Sequence, residues 1–194
     1  MADNGKQRND EDLIGEVARK DHDAFRNLYG RYQGKVFGLV YRYIGNQGVA
    51  EDLVQEIFLK VYRSAGKFRP EAKFSTWLYK LVANHCLNYQ RYVKARPSES
   101  ITDSETEERR NRSSTQTVDP VDPETALYEK ERRSAVRKAV DSLPERQRMA
   151  VVLQRFEGLS YGEIAEVMDC SVKAVESLLQ RAMKELRDSL KKYC

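Results

Sequence analysis

Apolar side chains recur at three- and four-residue intervals along most of the chain, the spacing that places them on one face of an α-helix. Leu13, Ile14, Val17 and Ala18 form a first stripe. Phe25, Leu28, Tyr29 and Tyr32 begin a second, which Val36, Phe37, Val40, Tyr41 and Ile44 carry up to Gly45. A glycine there suits the left-handed residue that commonly ends a helix. Val49, Leu53, Val54, Ile57, Phe58, Val61 and Tyr62 predict a third helix, and after Pro70 a fourth carries Leu78, Leu81, Val82 and Leu87. No alternating run and no hairpin dipeptide interrupts this pattern, so the expected fold class is all-α.

The pattern lapses once. From Arg96 to Glu124 the sequence RPSESITDSETEERRNRSSTQTVDPVDPE is polar, carries three prolines and has almost nothing bulky to bury, so it does not fold by itself. Helical spacing resumes near Thr125 with Leu127, Ala135, Val136, Ala139, Val140 and Leu143. Pro144 breaks it, and it continues through Met149, Val152, Leu153 and Phe156. The expected organisation is a tail over 1–10, a helical unit over 11–95, a flexible acidic linker over 96–124 and a second helical unit over 125–194. The linker reads either as a passive tether or as a negatively charged segment that mimics nucleic acid or lies in a partner's basic channel.

The second unit ends in the most specific local pattern of the chain. In LSYGEIAEVMDCSVKAVESLLQRAMKEL, residues 159–186, Ser160 and Glu163 have the spacing of a capping box, which predicts a helix to about Met168. Asp169, Cys170 and Ser171 make a short turn, with Ser171 as N-cap of a second helix. Val172, Val175, Leu178, Leu179, Ala182 and Leu186 are expected to face inward. Lys173, Glu176, Ser177, Gln180, Arg181 and Lys184 are left outside, a polar and mostly basic face of the size that enters a major groove. The plainer alternative is a solvated helical hairpin.

Charge sharpens this picture. Of the 194 residues 40% are hydrophobic and the net charge is only +4, but the charges are segregated. Residues 57–95 balance to +7, the linker to −4 and residues 125–194 to +3. Two basic segments flanking an acidic one suggest two nucleic-acid-facing units on a tether. No run reaches the ~20 apolar residues of a membrane span, and the N-terminus MADNGKQRNDEDL lacks a signal-peptide core, so the expected location is the cytoplasm without membrane insertion. Cys86, Cys170 and Cys194 are too scattered for a disulfide framework or a metal site. Cys86 and Cys170 are expected to pack within helices and Cys194 to be exposed.

Between Lys67 and Tyr92, the cations Lys67, Arg69, Lys73, Lys80 and Arg91 alternate with Phe68, Phe74, Trp77, Tyr79, Tyr89 and Tyr92. Such interleaving suits melted or single-stranded nucleic acid, because rings stack with bases while cations follow phosphates. Phe74 and Trp77 are the rings expected nearest a base, and Asn84 and Asn88 offer amides to a base edge. Helical spacing also assigns several of these rings to the core. Upstream, Asp52, Gln55 and Glu56 share a helix with Leu53, Val54, Ile57 and Phe58, a mixed face that reads as a solvated edge or as a docking surface for a basic partner. The two histidines, His22 and His85, have no ligand or triad company and read as packing or capping residues.

Three stretches together carry a family resemblance. DLVQEIFLKVYR at 52–63, FRPEAKFSTWLYKLVANHCLNY at 68–89 and LPERQRMAVVLQRFEGLSYGEIAEVMDCSVKAVESLLQRAMKEL at 143–186 resemble a bacterial RNA polymerase sigma factor of the extracytoplasmic-function (ECF) group of the sigma-70 family. The resemblance implies that Asp52, Leu53, Gln55 and Glu56 meet the clamp helices of core RNA polymerase. It implies that Ser75, Trp77, Lys80, Asn84 and Asn88, with the loop at Lys73 and Phe74, open promoter DNA and read its minus-ten element as a single strand. The helix-turn-helix corresponds to the reader of the double-stranded minus-thirty-five element, and the linker to the segment that threads toward the polymerase active centre. Relatives of this kind are held inactive by an anti-sigma factor. No cofactor and no catalysis are implied. Glu176 departs from the pattern, since its position is often basic in relatives; a glutamate accepts from a cytosine amine but repels phosphate.

Two other classes fit parts of the chain. A free-standing helix-turn-helix regulator with an N-terminal sensing domain explains the last helices but not the basic-aromatic segment beside an acidic-apolar face. An enzyme that uses the helix-turn-helix for targeting lacks a recognisable triad, metal set or P-loop.

Overall fold

The computed structural model describes residues 8–96 and 123–193, and among these there is no strand. Eight helices follow one another: α1 Asp10–Ala18, α2 His22–Ile44, α3 Gln47–Ser64, α4 Phe74–Ala95, α5 Pro123–Ser142, α6 Glu145–Arg155, α7 Tyr161–Met168 and α8 Val172–Ser189. Single 3-10 turns at Ala65–Lys67 and Lys191–Tyr193 complete the set.

Most helix ends obey local chemistry. The Asn9 side chain accepts the Asp12 amide, Asp21 accepts those of Asp23 and Ala24, and Asn46 accepts that of Val49, each satisfying a donor that the first turn leaves orphaned. Gly45 adopts φ 86° and its amide donates to the Tyr41 carbonyl, the expected left-handed stop. α4 lacks a side-chain cap of its own. Its first amide, that of Phe74, donates instead to the Glu11 carboxylate 2.9 Å away, so α1 caps a helix 63 residues downstream.

α1 to α4 wrap around Leu13, Ile14, Leu28, Leu39, Tyr43, Ile57, Phe74 and Leu78, all buried. α6 to α8 enclose Met149, Leu153, Ile164, Val175, Leu179 and Ala182. The folded part begins earlier than expected on both sides of the linker. Tyr32 Oη donates to Asp10 Oδ2 at 2.5 Å and Arg31 pairs with Asp10 Oδ1 at 2.5 Å, which draws Asp10 out of the tail and into the bundle. α5 starts at Pro123, two residues ahead of the point where apolar spacing resumes; a proline is favourable in a first helical turn because its missing N–H has no partner there. The linker from 97 to 122 and Cys194 lie outside the described residues. Cys86 is buried as expected, and burial pushes its thiol up to about 12; Cys170 is half-buried.

The two units share one continuous core. α7 lies along α4, and α6 packs on both α2 and α4. Polar groups tie the seam: Arg148 donates to the Tyr43 carbonyl at 3.1 Å and Arg137 to the Tyr41 carbonyl at 3.1 Å. Arg148 also donates to the Asp141 carbonyl, and Lys94 pairs with Glu145 at 2.7 Å.

Candidate nucleic-acid interface

Three surfaces emerge from this framework. The first lies on α3, where Leu53, Val54, Ile57, Phe58 and Val61 turn into the core, leaving Asp52, Gln55 and Glu56 exposed beside them. Leu53 is only 4% exposed, so in this structure it supports the face from beneath while its polar neighbours form the surface. Leu59 takes the apolar place instead. It is 53% exposed and stands one turn beyond Gln55 and Glu56, off the apolar stripe that helical spacing assigns to the core. Glu56 Oε2 lies 2.7 Å from His85 Nε2 of α4, which gives His85 a role in fixing that carboxylate. His22 stacks with Tyr62 at 5.9 Å between ring centroids.

The second surface is the outer face of α4. Trp77, Lys80, Asn84 and Asn88 follow one another at three- and four-residue steps and so lie on one side of the helix; both asparagines are exposed, and Ser75, Trp77 and Lys80 are half-buried. Asn88 Oδ1 accepts from Arg91 at 3.4 Å. Phe74 is not part of this face. It has 0% exposure, and its ring sits 5.2 Å from Tyr32, 6.2 Å from Phe68 and 5.9 Å from Trp77. Phe74, expected near a base, lies inside the core in this structure, where its ring packs against Trp77. Phe68 meets Trp77 edge-on at 5.7 Å, so the half-buried indole is held between two rings.

The third surface is the helix-turn-helix. The Ser160 hydroxyl accepts the Glu163 amide at 3.3 Å while Glu163 Oε2 accepts the Ser160 amide at 3.0 Å, a complete capping box. The Ser160 amide first, and then the Ser160 hydroxyl donating to Glu163 Oε2 at 2.8 Å, hold the Glu163 carboxyl below its ordinary value of 4.5. Asp169 ends α7 at φ 52° in the left-handed region, and the Ser171 hydroxyl accepts the Ala174 amide at 3.2 Å to start α8. Lys173, Glu176, Ser177, Gln180, Arg181 and Lys184 are all exposed. Val175, Leu179 and Ala182 are buried, with Leu178 and Leu186 partly so; Val172, expected inside, is the first residue of α8 and is 50% exposed. Gln180 Nε2 lies 3.5 Å from Glu176 Oε1, one turn along the same exposed face. A cleft between α6, α7 and α8 brings Arg155, Tyr161 and Arg187 beside Gln180 and Lys184. Arg155 and Tyr161 come from α6 and α7, a meeting that spacing along α8 does not encode, whereas Arg187 lies on α8 itself, one turn past Lys184.

Among the described residues no group of three His, Cys, Asp or Glu is arranged to hold a metal ion, and no helix is long and apolar enough to cross a membrane.

Two family descriptions match the chain, Sigma-70 region 2 over residues 28–96 and Sigma-70, region 4 over residues 133–186. The ECF RNA polymerase sigma-E factor of Escherichia coli is 39% identical over 178 residues, 91% of this chain and 92% of that protein. The RNA polymerase sigma-H factor of Pseudomonas aeruginosa is 36% identical over 185 residues, 95% of each. The solved structure of CnrH in complex with the cytosolic domain of CnrY shares the fold, with a TM-score of 0.67 at 22% identity over 95% of this chain and 99% of that one. With both regions present in order and close relatives spanning nearly the whole length, the chain belongs to the extracytoplasmic-function group of RNA polymerase sigma factors.

Proposed function

We propose that the three surfaces divide promoter recognition among themselves, with no chemistry catalysed by the chain itself. Asp52, Gln55 and Glu56, with Leu59 beside them, form the face that docks on the basic clamp of core RNA polymerase. Trp77, Lys80, Asn84 and Asn88, with Lys73 and Ser75 at the head of α4, capture the minus-ten element as a single strand, the indole stacking with an extruded base while the amides read its edge. Lys173, Glu176, Ser177, Gln180, Arg181 and Lys184 read the minus-thirty-five element in the major groove. Polymerase holds both units on one platform, so that binding by one raises the effective concentration of the other. The strand-reading unit spans about residues 11–95 and the duplex-reading unit about 125–194. The chain acts in the cytoplasm and has an anti-sigma protein as its inhibitory partner.

The observation that carries this reading is the coexistence, in one chain, of a capped helix-turn-helix with an exposed polar face and a braced indole on a basic helix. Charge reversal tests it. Asp52→Lys combined with Glu56→Lys should abolish retention of core polymerase in a pull-down while circular dichroism stays unchanged, because both carboxylates are exposed and reversal there meets a basic partner with repulsion. Undiminished retention would sink the docking assignment.

A further inference from the structure

The head of α4, where Lys73, Ser75 and Trp77 stand, has no side-chain cap from its own sequence. A helix leaves its first amides without intrahelical partners, and the residue at the capping position is Lys73, whose ammonium donates hydrogen bonds and accepts none. The Trp77 amide closes the first turn by donating to the Lys73 carbonyl at 3.2 Å. In the preceding loop the Ala72 amide donates to the Arg69 carbonyl at 3.0 Å. Between these two bonds the Phe74 amide crosses to another helix and donates to Glu11 Oε1 of α1 at 2.9 Å. The contact also sets a carboxylate against the positive end of the α4 dipole.

The residue beside Glu11 reaches the same phenylalanine from its other end. Asp10 accepts from Tyr32 Oη and from Arg31, both at 2.5 Å, and the Tyr32 ring meets the Phe74 ring edge-on at 5.2 Å. Phe74 is thus held at its backbone by Glu11 and at its ring by a tyrosine that Asp10 orients. α1 itself is seated by Leu13, Ile14 and Val17, all buried, and its first turn is capped by Asn9. Its anchoring therefore does not rest on the half-buried Glu11 carboxylate. Glu11 also lies ahead of residues 28–96, over which the region 2 description matches.

We propose that Glu11 is a positioning residue for strand capture: by capping α4 from outside, it keeps the first turn of that helix wound and so holds Lys73, Ser75 and Trp77 where they meet the melted strand. The proposal rests on the reading of α4 given above. Unwinding this one turn takes Lys73, Ser75 and Trp77 out of line with Lys80, Asn84 and Asn88, which lie further along the helix. Docking on polymerase is not affected, because Asp52, Gln55 and Glu56 belong to α3. Glu11 thus acts on opening through α4, without touching either the strand or the polymerase.

The test compares Glu11→Ala, which deletes the acceptor, with Glu11→Gln, which keeps an oxygen for the Phe74 amide. Trp77 is the single tryptophan of the chain, so its fluorescence reports the head of α4. In the free full-length chain, acrylamide quenching of Trp77 is expected to rise for Glu11→Ala and to stay at the parent level for Glu11→Gln. In holoenzyme, on a promoter that the parent selects from a randomised pool, permanganate reactivity of the minus-ten thymines should fall about fivefold for Glu11→Ala, the equilibrium effect of losing one capping bond. Retention of core polymerase should be unchanged, and Glu11→Gln should restore opening. Parent-like quenching in Glu11→Ala overturns the positioning role. So does undiminished opening, or a loss that Glu11→Gln fails to restore. Trp77→Ala in the same holoenzyme assay separates the two readings: if it opens the promoter like the parent, the α4 assignment falls and the proposal with it, even where quenching responds to Glu11.

Discussion

Replacing Phe74 by alanine separates two roles that a ring at the head of a strand-reading helix can play. In the structure the ring is fully buried and shares edge-on or tilted contacts with Tyr32, Phe68 and Trp77. Truncating a buried phenylalanine removes its transfer free energy and leaves a cavity, a loss of about 3–5 kcal/mol. Each kcal/mol moves Tm by roughly 2–4 °C for a chain of this size, so Phe74→Ala should lower Tm by on the order of 10 °C in far-ultraviolet circular dichroism melts. Phe74→Leu, which refills most of the space, should recover much of that loss. Trp77→Ala gives the opposite signature. The indole is only partly buried, so its removal should cost less stability but impair strand opening, read by permanganate footprinting in holoenzyme, more than recruitment. If Phe74→Ala melted like the parent chain while strand contacts disappeared, the ring would be a stacking platform and the buried-wedge account would be wrong.

Other expectations concern the helix-turn-helix. Ser160→Ala removes the acceptor of the Glu163 amide and should lower stability by about 1 kcal/mol in urea titrations; an unchanged midpoint would refute the capping role. Because Glu163 is held below its ordinary carboxylate value by the same box, its contribution is complete above that value and is lost as pH falls through the lowered one. Glu163→Gln should therefore flatten the acid limb of the stability curve, and an identical limb would count against it. Gln180→Ala or Arg181→Ala should weaken preference for the upstream element in a randomised-promoter selection, whereas an unaltered preference would remove α8 from the reading face.

The periodic pattern located helices well because helix existence is decided by neighbours three and four residues apart. Gly45, the Ser160–Glu163 box and the Asp169–Ser171 turn were legible for the same reason. Contact residues were less so. Leu53 and Leu59 are both leucines on one amphipathic helix, and helical spacing already placed the first on the inward stripe and left the second off it, but spacing does not say which outward positions a partner would use. Phe74 and Trp77 sit three residues apart, and only the position of Tyr32 and Phe68 decides which ring is wedge and which is face. The Glu11 cap of α4, the Glu56–His85 pair and the seam between α4 and α7 join residues 63, 29 and 78 or more positions apart, and no local spacing encodes such meetings.

Asp169 occupies a position where backbone geometry restricts the alphabet. At φ 52° the residues that fit with least strain are glycine, asparagine and aspartate, and of these only aspartate carries charge to Lys80. An aspartate codon becomes an asparagine or glycine codon by a single base change. Mutation can therefore remove the charge that faces Lys80 while leaving the turn itself intact, so the electrostatics of this corner can change in small, reversible steps without disturbing the fold around it.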